Sequence, residues 1–222
     1  MGTKEPGTVR WLQNTLKPDD IVLDVGANVG IYSVFAAGRL EHGQVFAIEP
    51  HAGSFAILLK SIYFNRMQDR ITPLNIALDS ASGWIDFIYN DLMAGSSGSR
   101  LITSPEINKD SHLVTEKKKA QSIDNLIESG VIPPPDIIKI DVDGNELNIL
   151  RGMSVLLNSG KLRSIQVEAD PSLEAQVVEY LAGFEYTVVE KHLSASGSRH
   201  VAKYGTEIPY PYNYIFEKKS NR

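Results

Sequence analysis

Four groups of residues in this chain have the types and spacing to do chemistry. An apolar run, Ile21-Val22-Leu23, ends in Asp24 and turns through Gly26 and Gly30, with Ala27 and Asn28 between the glycines. Glycines let the backbone take positive φ and approach a ligand closely, and the helix start that follows offers free N–H groups. A second run ends in Glu49-Pro50, about twenty residues beyond the loop, where a carboxylate accepts hydrogen bonds from both hydroxyls of a ribose. A third, Ile137-Ile138-Lys139-Ile140, ends in Asp141-Val142-Asp143-Gly144, with Glu146 close behind. Asp79 follows a further apolar run and is placed to meet the edge of an adenine ring.

The glycine spacing separates two cofactor chemistries. Dinucleotide sites use G-x-G-x-x-G to aim a helix dipole at a pyrophosphate. Here the pattern is G-x-x-x-G, and Asn28 stands where a further glycine would sit. Asp24 is expected to point into the cleft, where an anion repels a pyrophosphate and suits the amino group of a methionine moiety. The expected cofactor is S-adenosyl-L-methionine, bound by Asp24, Gly26, Ala27, Asn28, Gly30, Glu49, Asp79 and Asp141. A nicotinamide-dependent oxidoreductase and a non-catalytic cofactor-binding module are the alternatives.

Methyl transfer is an in-line displacement, so much of its catalysis is placement of the acceptor roughly 3 Å from the methyl carbon. An alcohol acceptor also has a proton to lose, to a base or with the help of a metal. Asp141 is the first choice at the reaction centre, because open α/β folds bind ligands at the C-terminal edge of the sheet. Asp143 and Glu146 are further catalytic candidates, with helix capping as their alternative role. Asp141, Asp143 and Glu168 together offer oxygen ligands for magnesium, but their spacing defines no geometry and no metal is assigned. His51 is read as a loop residue beside the adenosine, His112 and His192 as residues that face the acceptor, and Ser96 and Ser97 as substrate contacts.

These groups need a scaffold, and the rest of the chain describes one. Strand-like runs alternate with helical patterns, as in a doubly wound α/β sheet. The spacing predicts a helix around Val9, Leu12 and Leu16, then strands at 21–25, 44–48 and 71–78. Helices follow Gly30 and Gly53-Ser54. A half-buried strand at 83–89, a loop over 90–110 and a returning strand at 112–122 read as an inserted hairpin. A helix at 123–128, the acid-ended strand at 137, a helix at 145–151 and a strand at 164–168 follow. After a helix opened by Pro171-Ser172, strands at 186–189 and 213–217 close the chain. The fold class is therefore α/β, with a seven-stranded, mostly parallel sheet whose last strand inserts antiparallel. Residues 1–222 are read as one domain.

Bulk properties exclude several classes. The chain has 222 residues, 42% hydrophobic and 22% charged, with a net charge of −5, which argues against nonspecific nucleic-acid binding. Lys117-Lys118-Lys119 is the lone lysine run and reads as a solvated loop or strand end. Without cysteine there is no disulfide, thiolate zinc site or cysteine nucleophile. No run is long enough to span a bilayer, and a cytoplasmic location is expected. The partner is a small-molecule or saccharide acceptor. The tyrosine-rich segment 204–214 is suited to cover either substrate or a second subunit, so a homodimer is among the expectations.

Taken together, VLDVGANVGIYS, FAIEP, SIDNLI, IIKIDVDGNELNILRGM, VEAD and NYIFEKK resemble the FkbM family of S-adenosylmethionine-dependent methyltransferases, in order and through nearly the whole chain. The block from Lys139 to Met153 carries most of the specificity; the family pattern usually has Glu where Asp143 stands and Ala where Asn145 stands. The resemblance implies a class I methyltransferase fold and O-methylation of a hydroxyl on a sugar or natural product.

Overall fold

The computed structural model describes residues 5–96, 98–102, 113–206 and 210–219. Ser97 and His112, both singled out above, lie outside them. In chain order the first half comprises α1 (Pro6–Thr15), β1 (Ile21–Val25), α2 (Ile31–Ala37), β2 (Gln44–Ile48), α3 (Ala52–Phe64), β3 (Ile71–Leu74), β4 (Ala77–Leu78), β5 (Gly83–Tyr89) and β6 (Arg100–Leu101). The second half comprises β7 (Val114–Gln121), α4 (Ile123–Glu128), β8 (Ile137–Ile140), α5 (Glu146–Arg151), α6 (Ser154–Asn158), β9 (Ser164–Ala169), α7 (Glu174–Ala182), β10 (Tyr186–Leu193), α8 (Ala195–Tyr204) and β11 (Tyr212–Lys218).

The main sheet has seven strands in the order β10-β11-β9-β8-β1-β2-β3. β1, β2, β3, β8 and β9 pair in parallel, and β11 enters antiparallel between β9 and β10. Parallel strands buried on both faces read as unbroken apolar runs, which is why β1, β2 and β8 were visible from composition alone. Leu23, Val25, Ile138, Ile140, Ile165 and Val167 face a core shared with Ile149 and Leu150 of α5 and Val177 and Leu181 of α7. Val22, Val45, Ala47 and Ile137 face the opposite side, in a second core shared with Trp11 and Leu12 of α1, Ala36 and Ala37 of α2 and Leu58 and Ile62 of α3.

Three local expectations are corrected. The run 71–78 is two strands in two sheets. The chain bends at Asn75, whose Nδ2 donates to the carbonyls of Glu49 (2.7 Å) and Pro50 (3.2 Å), and β4 then leaves for a second sheet. The inserted hairpin belongs to that sheet, which has four strands in the order β4-β7-β5-β6. Helices α6 and α8 were not foreseen. The start of α6 is capped from a distance, Asp124 accepting from the N–H groups of Val155 (2.8 Å) and Leu156 (3.0 Å). The lysine run lies in β7: Lys117 pairs with Asp86 at 2.8 Å, whereas Lys118 is buried and donates to Glu116 and Asn75.

Candidate cofactor site

The glycine corner is shaped by backbone approach. Gly26 has φ +74, and a Cβ there would overlap the carbonyl oxygen of Asp141 and come within 2.9 Å of its carbon. The loop after β1 thus crosses the loop after β8 with no room for a side chain. Asn28 also has positive φ (51°), a conformation that asparagine tolerates better than most residues. Its Oδ1 is buried without a hydrogen-bond partner. Gly30 (φ +86) precedes α2, and a Cβ on it would press on Leu58 of α3.

Glu49 ties the end of β2 to that corner. It is buried, and its Oε2 accepts from the N–H of Asn28 (2.7 Å) while Oε1 accepts from the N–H of His51 (2.8 Å). Burial raises its pKa, an effect these two backbone hydrogen bonds oppose. A carboxylate offers about four acceptor positions, so two remain for further donors. His51 is committed elsewhere. Its Nδ1 accepts from the N–H of Ser54 (3.1 Å), which places the proton on Nε2, 2.8 Å from the carbonyl of Asp91.

Asp24 departs from expectation. It is 2% exposed and lies beneath the cavity rather than facing into it. Alternation along β1 turns it toward α2, where the Ser33 hydroxyl donates to Oδ2 at 2.5 Å. The parallel register sets it opposite Lys139 of β8, whose ammonium stands 3.8 Å from Asp24 Oδ1 and 2.8 Å from Asp141 Oδ2. Burial disfavours the charged lysine, but Asp141 and Asp24 more than offset it, so the Lys139 pKa lies above the ordinary value. Burial raises the Asp24 pKa, and Lys139 and Ser33 oppose that rise. Lys139 also lies over the ring of Tyr32, 5.0 Å from its centroid. Nothing in the sequence reading had marked it.

Above this pair opens a cavity of about 560 Å³, a size ordinary for a small-molecule site. Of the residues expected to bind cofactor, Gly26, Ala27, Asn28, Glu49 and Asp141 line it, and Asp24, Gly30 and Asp79 do not. The Asp79 carboxylate accepts instead from the N–H of the next residue, Ser80 (2.7 Å), in an exposed turn. Asp143 and Glu146 line the cavity too. Asp143 is exposed and accepts from the N–H of Gly98 at 2.6 Å, which ties the loop between β5 and β6 to the turn after β8. Glu146 is 3% exposed, its Oε1 accepts from the N–H of Gly144 (3.1 Å) and its Oε2 has no partner. Burial pushes its pKa up to about 7.

The remaining candidates fall in three places. Ser96 lines the cavity. His192 lies under α1, against Gly7, with Nε2 3.4 Å from the Thr8 hydroxyl; it does not reach the cavity, and burial lowers its pKa. The carboxylates that converge are Glu5, Asp141 and Glu168, with ligand atoms within 4.8 Å of one another, rather than the set Asp141, Asp143 and Glu168. Glu5 is already engaged by the hydroxyls of Tyr32 (2.9 Å) and Thr8 (3.1 Å). The ammonium of Lys139 supplies the positive charge beside Asp141. The cavity wall also takes Arg199 from α8 and Arg100 from β6.

The sequence and the fold are similar to those of known proteins. Residues 24–196 fit the family model described as the methyltransferase FkbM domain. The chain is 30% identical over 165 residues to the hexuronic acid methyltransferase AglP of Haloferax volcanii, covering 74% of this chain and 63% of that relative. It is 28% identical over 201 residues to the 31-O-demethyl-FK506 methyltransferase FkbM of Streptomyces tacrolimicus, covering 78% of this chain and 75% of the relative. The chain thus spans less than two thirds of the AglP length. The crystal structure of a methyltransferase FkbM from Methylobacillus flagellatus shares the fold, with a TM-score of 0.60 at 15% identity over 90% of this chain and 45% of its own. A putative rRNA methylase from Clostridium thermocellum shares it at TM-score 0.56 and 15% identity, over 97% of this chain and 95% of its own. With the family model matching from the glycine corner through β10, the chain belongs to the FkbM methyltransferase family.

Proposed function

We propose that the protein transfers a methyl group from S-adenosyl-L-methionine to a hydroxyl of a saccharide or similar polyol. The observation that carries this reading is one cavity joining the Gly26 crossing, Glu49 and a carboxylate cluster. Glu49, with two acceptor positions left open by its backbone hydrogen bonds, would hold the ribose hydroxyls. Glu5, Asp141 and Glu168 form an acidic wall suited to the ammonium and sulfonium of the cofactor, a role expected of Asp24 but better served by groups that face the cavity. The cofactor supplies an electrophilic methyl carbon. The chain's own part is placement and proton removal. Asp141, oriented by the Lys139 ammonium 2.8 Å away, accepts the hydrogen bond of the acceptor hydroxyl and takes its proton as the new carbon–oxygen bond replaces the methyl–sulfur bond. Asp143 holds the loop between β5 and β6 across the site.

AglP acts on a hexuronic acid, and Arg100 and Arg199 in this cavity wall would complement such a carboxylate. The test is transfer of labelled methyl from S-adenosyl-L-methionine to a glucuronate-terminated oligosaccharide and to its neutral glucose counterpart. Transfer to the uronate that falls by roughly 100-fold or more in Asp141→Asn is expected. Unchanged turnover in Asp141→Asn would remove that residue from the chemistry.

A further inference from the structure

We infer that Glu146 reads the adenine ring of the cofactor through its exocyclic amino group, an inference that rests on the cofactor reading above. The cavity has two chemically distinct ends. Around Asp141 stand Glu5, Tyr32, Lys139 and Glu168, suited to charged and hydroxyl-bearing groups. Beyond Glu49, on the side of β4 and α5, the wall is apolar: Ile48, Ala77, Leu78, Phe87, Leu101 and Ile149. A flat heteroaromatic ring fits such a slot, and a nucleoside whose ribose is on Glu49 sends its base there.

A purine also needs its polar edge satisfied. Among the described residues, two side-chain oxygens that line this cavity are buried with no hydrogen-bond partner: Asn28 Oδ1 in the glycine corner and Glu146 Oε2. Glu146 belongs to the apolar end. Its neighbour Asn145 donates through Nδ2 to the carbonyl of Leu78 (2.9 Å), fastening the turn after β8 to that wall. Gly144 holds the other carboxyl oxygen, fixing the side chain's direction. A buried acceptor without a donor costs free energy, which the adenine amino group removes. Asp79, at the end of β4, stays outside the cavity and leaves this task open.

The experiment is a calorimetric titration of the full chain, above pH 8, with S-adenosylhomocysteine and with S-inosylhomocysteine, which carries a carbonyl where adenine carries the amino group. The wild type is expected to prefer the adenosyl compound by roughly 10- to 100-fold, the range for a hydrogen bond to a charged group. Glu146→Gln, whose amide donates as well as accepts, should narrow that ratio to within about threefold, and Glu49→Gln should weaken both ligands alike. Equal wild-type affinity for the two compounds would overturn the inference whether or not the variants fold. So would a Glu146→Gln protein that melts cooperatively and keeps the wild-type ratio. Failure of the wild type to bind S-adenosylhomocysteine would instead overturn the cofactor reading beneath it.

Discussion

Gly26→Ala is expected to abolish S-adenosylhomocysteine binding, with affinity falling by at least about 100-fold, more than the loss of one strong hydrogen bond. The added methyl group would overlap the Asp141 carbonyl oxygen, a backbone atom that no rotamer change can move away. The ends of β1 and β8 would have to part, shifting the glycine corner and Asp141 together. Backbone strain alone does not explain such a loss, and the chain contains the control. Gly160 has φ +73 against +74 for Gly26, yet a Cβ there would meet nothing within 4 Å. Gly160→Ala therefore carries only the left-handed penalty of about 1–2 kcal/mol and should bind as the wild type does. Matched affinity losses in both variants, or a Gly26→Ala protein within threefold of wild type, would contradict the crossing described here.

Lys139→Met should be the most destabilising substitution in the sheet. Lys139 is 2% exposed and stands between Asp24 and Asp141, so its removal leaves Asp24 buried beside an unneutralised Asp141. Breaking a buried pair in this way costs about 3–5 kcal/mol, or a melting decrease of roughly 6–20 °C in a chain of this size. The sign of the pH dependence follows from Asp24, whose pKa burial already raises and which loses its opposing cation. Because its folded pKa lies above the unfolded one, stability is present at low pH and is lost as pH rises through the folded value. Thermal melts of Lys139→Met should therefore recover on acidification, and adding Asp24→Asn should restore much of the loss near neutral pH. A single variant that melts within about 2 °C of wild type would show that Lys139 does not neutralise the pair.

How much of this was legible in the sequence depended on the range of the interaction that decides each feature. β1, β2 and β5 were bounded as found, because burial on both faces writes β1 and β2 into near-continuous apolar runs and β5 is dense in β-branched and aromatic residues. The antiparallel insertion of β11 was legible as a helix followed by two strands at the end of the chain. Lys139 was not, because its meaning comes from register: the residues that give it a reason are Asp24, in another strand, and Asp141. Helix α6 was missed for the same reason, its cap being Asp124, thirty-one positions earlier. For Asp24 the signal was present and went unused. Leu23 and Val25 share one face of β1, so Asp24 must face the other, toward Ser33. Glu5 lies outside every motif and enters the site only because α1 packs across the sheet through Trp11 and Leu12.

Under the proposed function this cavity takes an adenosyl sulfur cofactor and not a nicotinamide dinucleotide. Titration of the wild-type protein with S-adenosylhomocysteine and with NADH, followed by calorimetry, tests it directly. The expected result is saturable one-to-one binding of S-adenosylhomocysteine, lost in Gly26→Ala, with no heat from NADH. Saturable binding of NADH without binding of S-adenosylhomocysteine would contradict it.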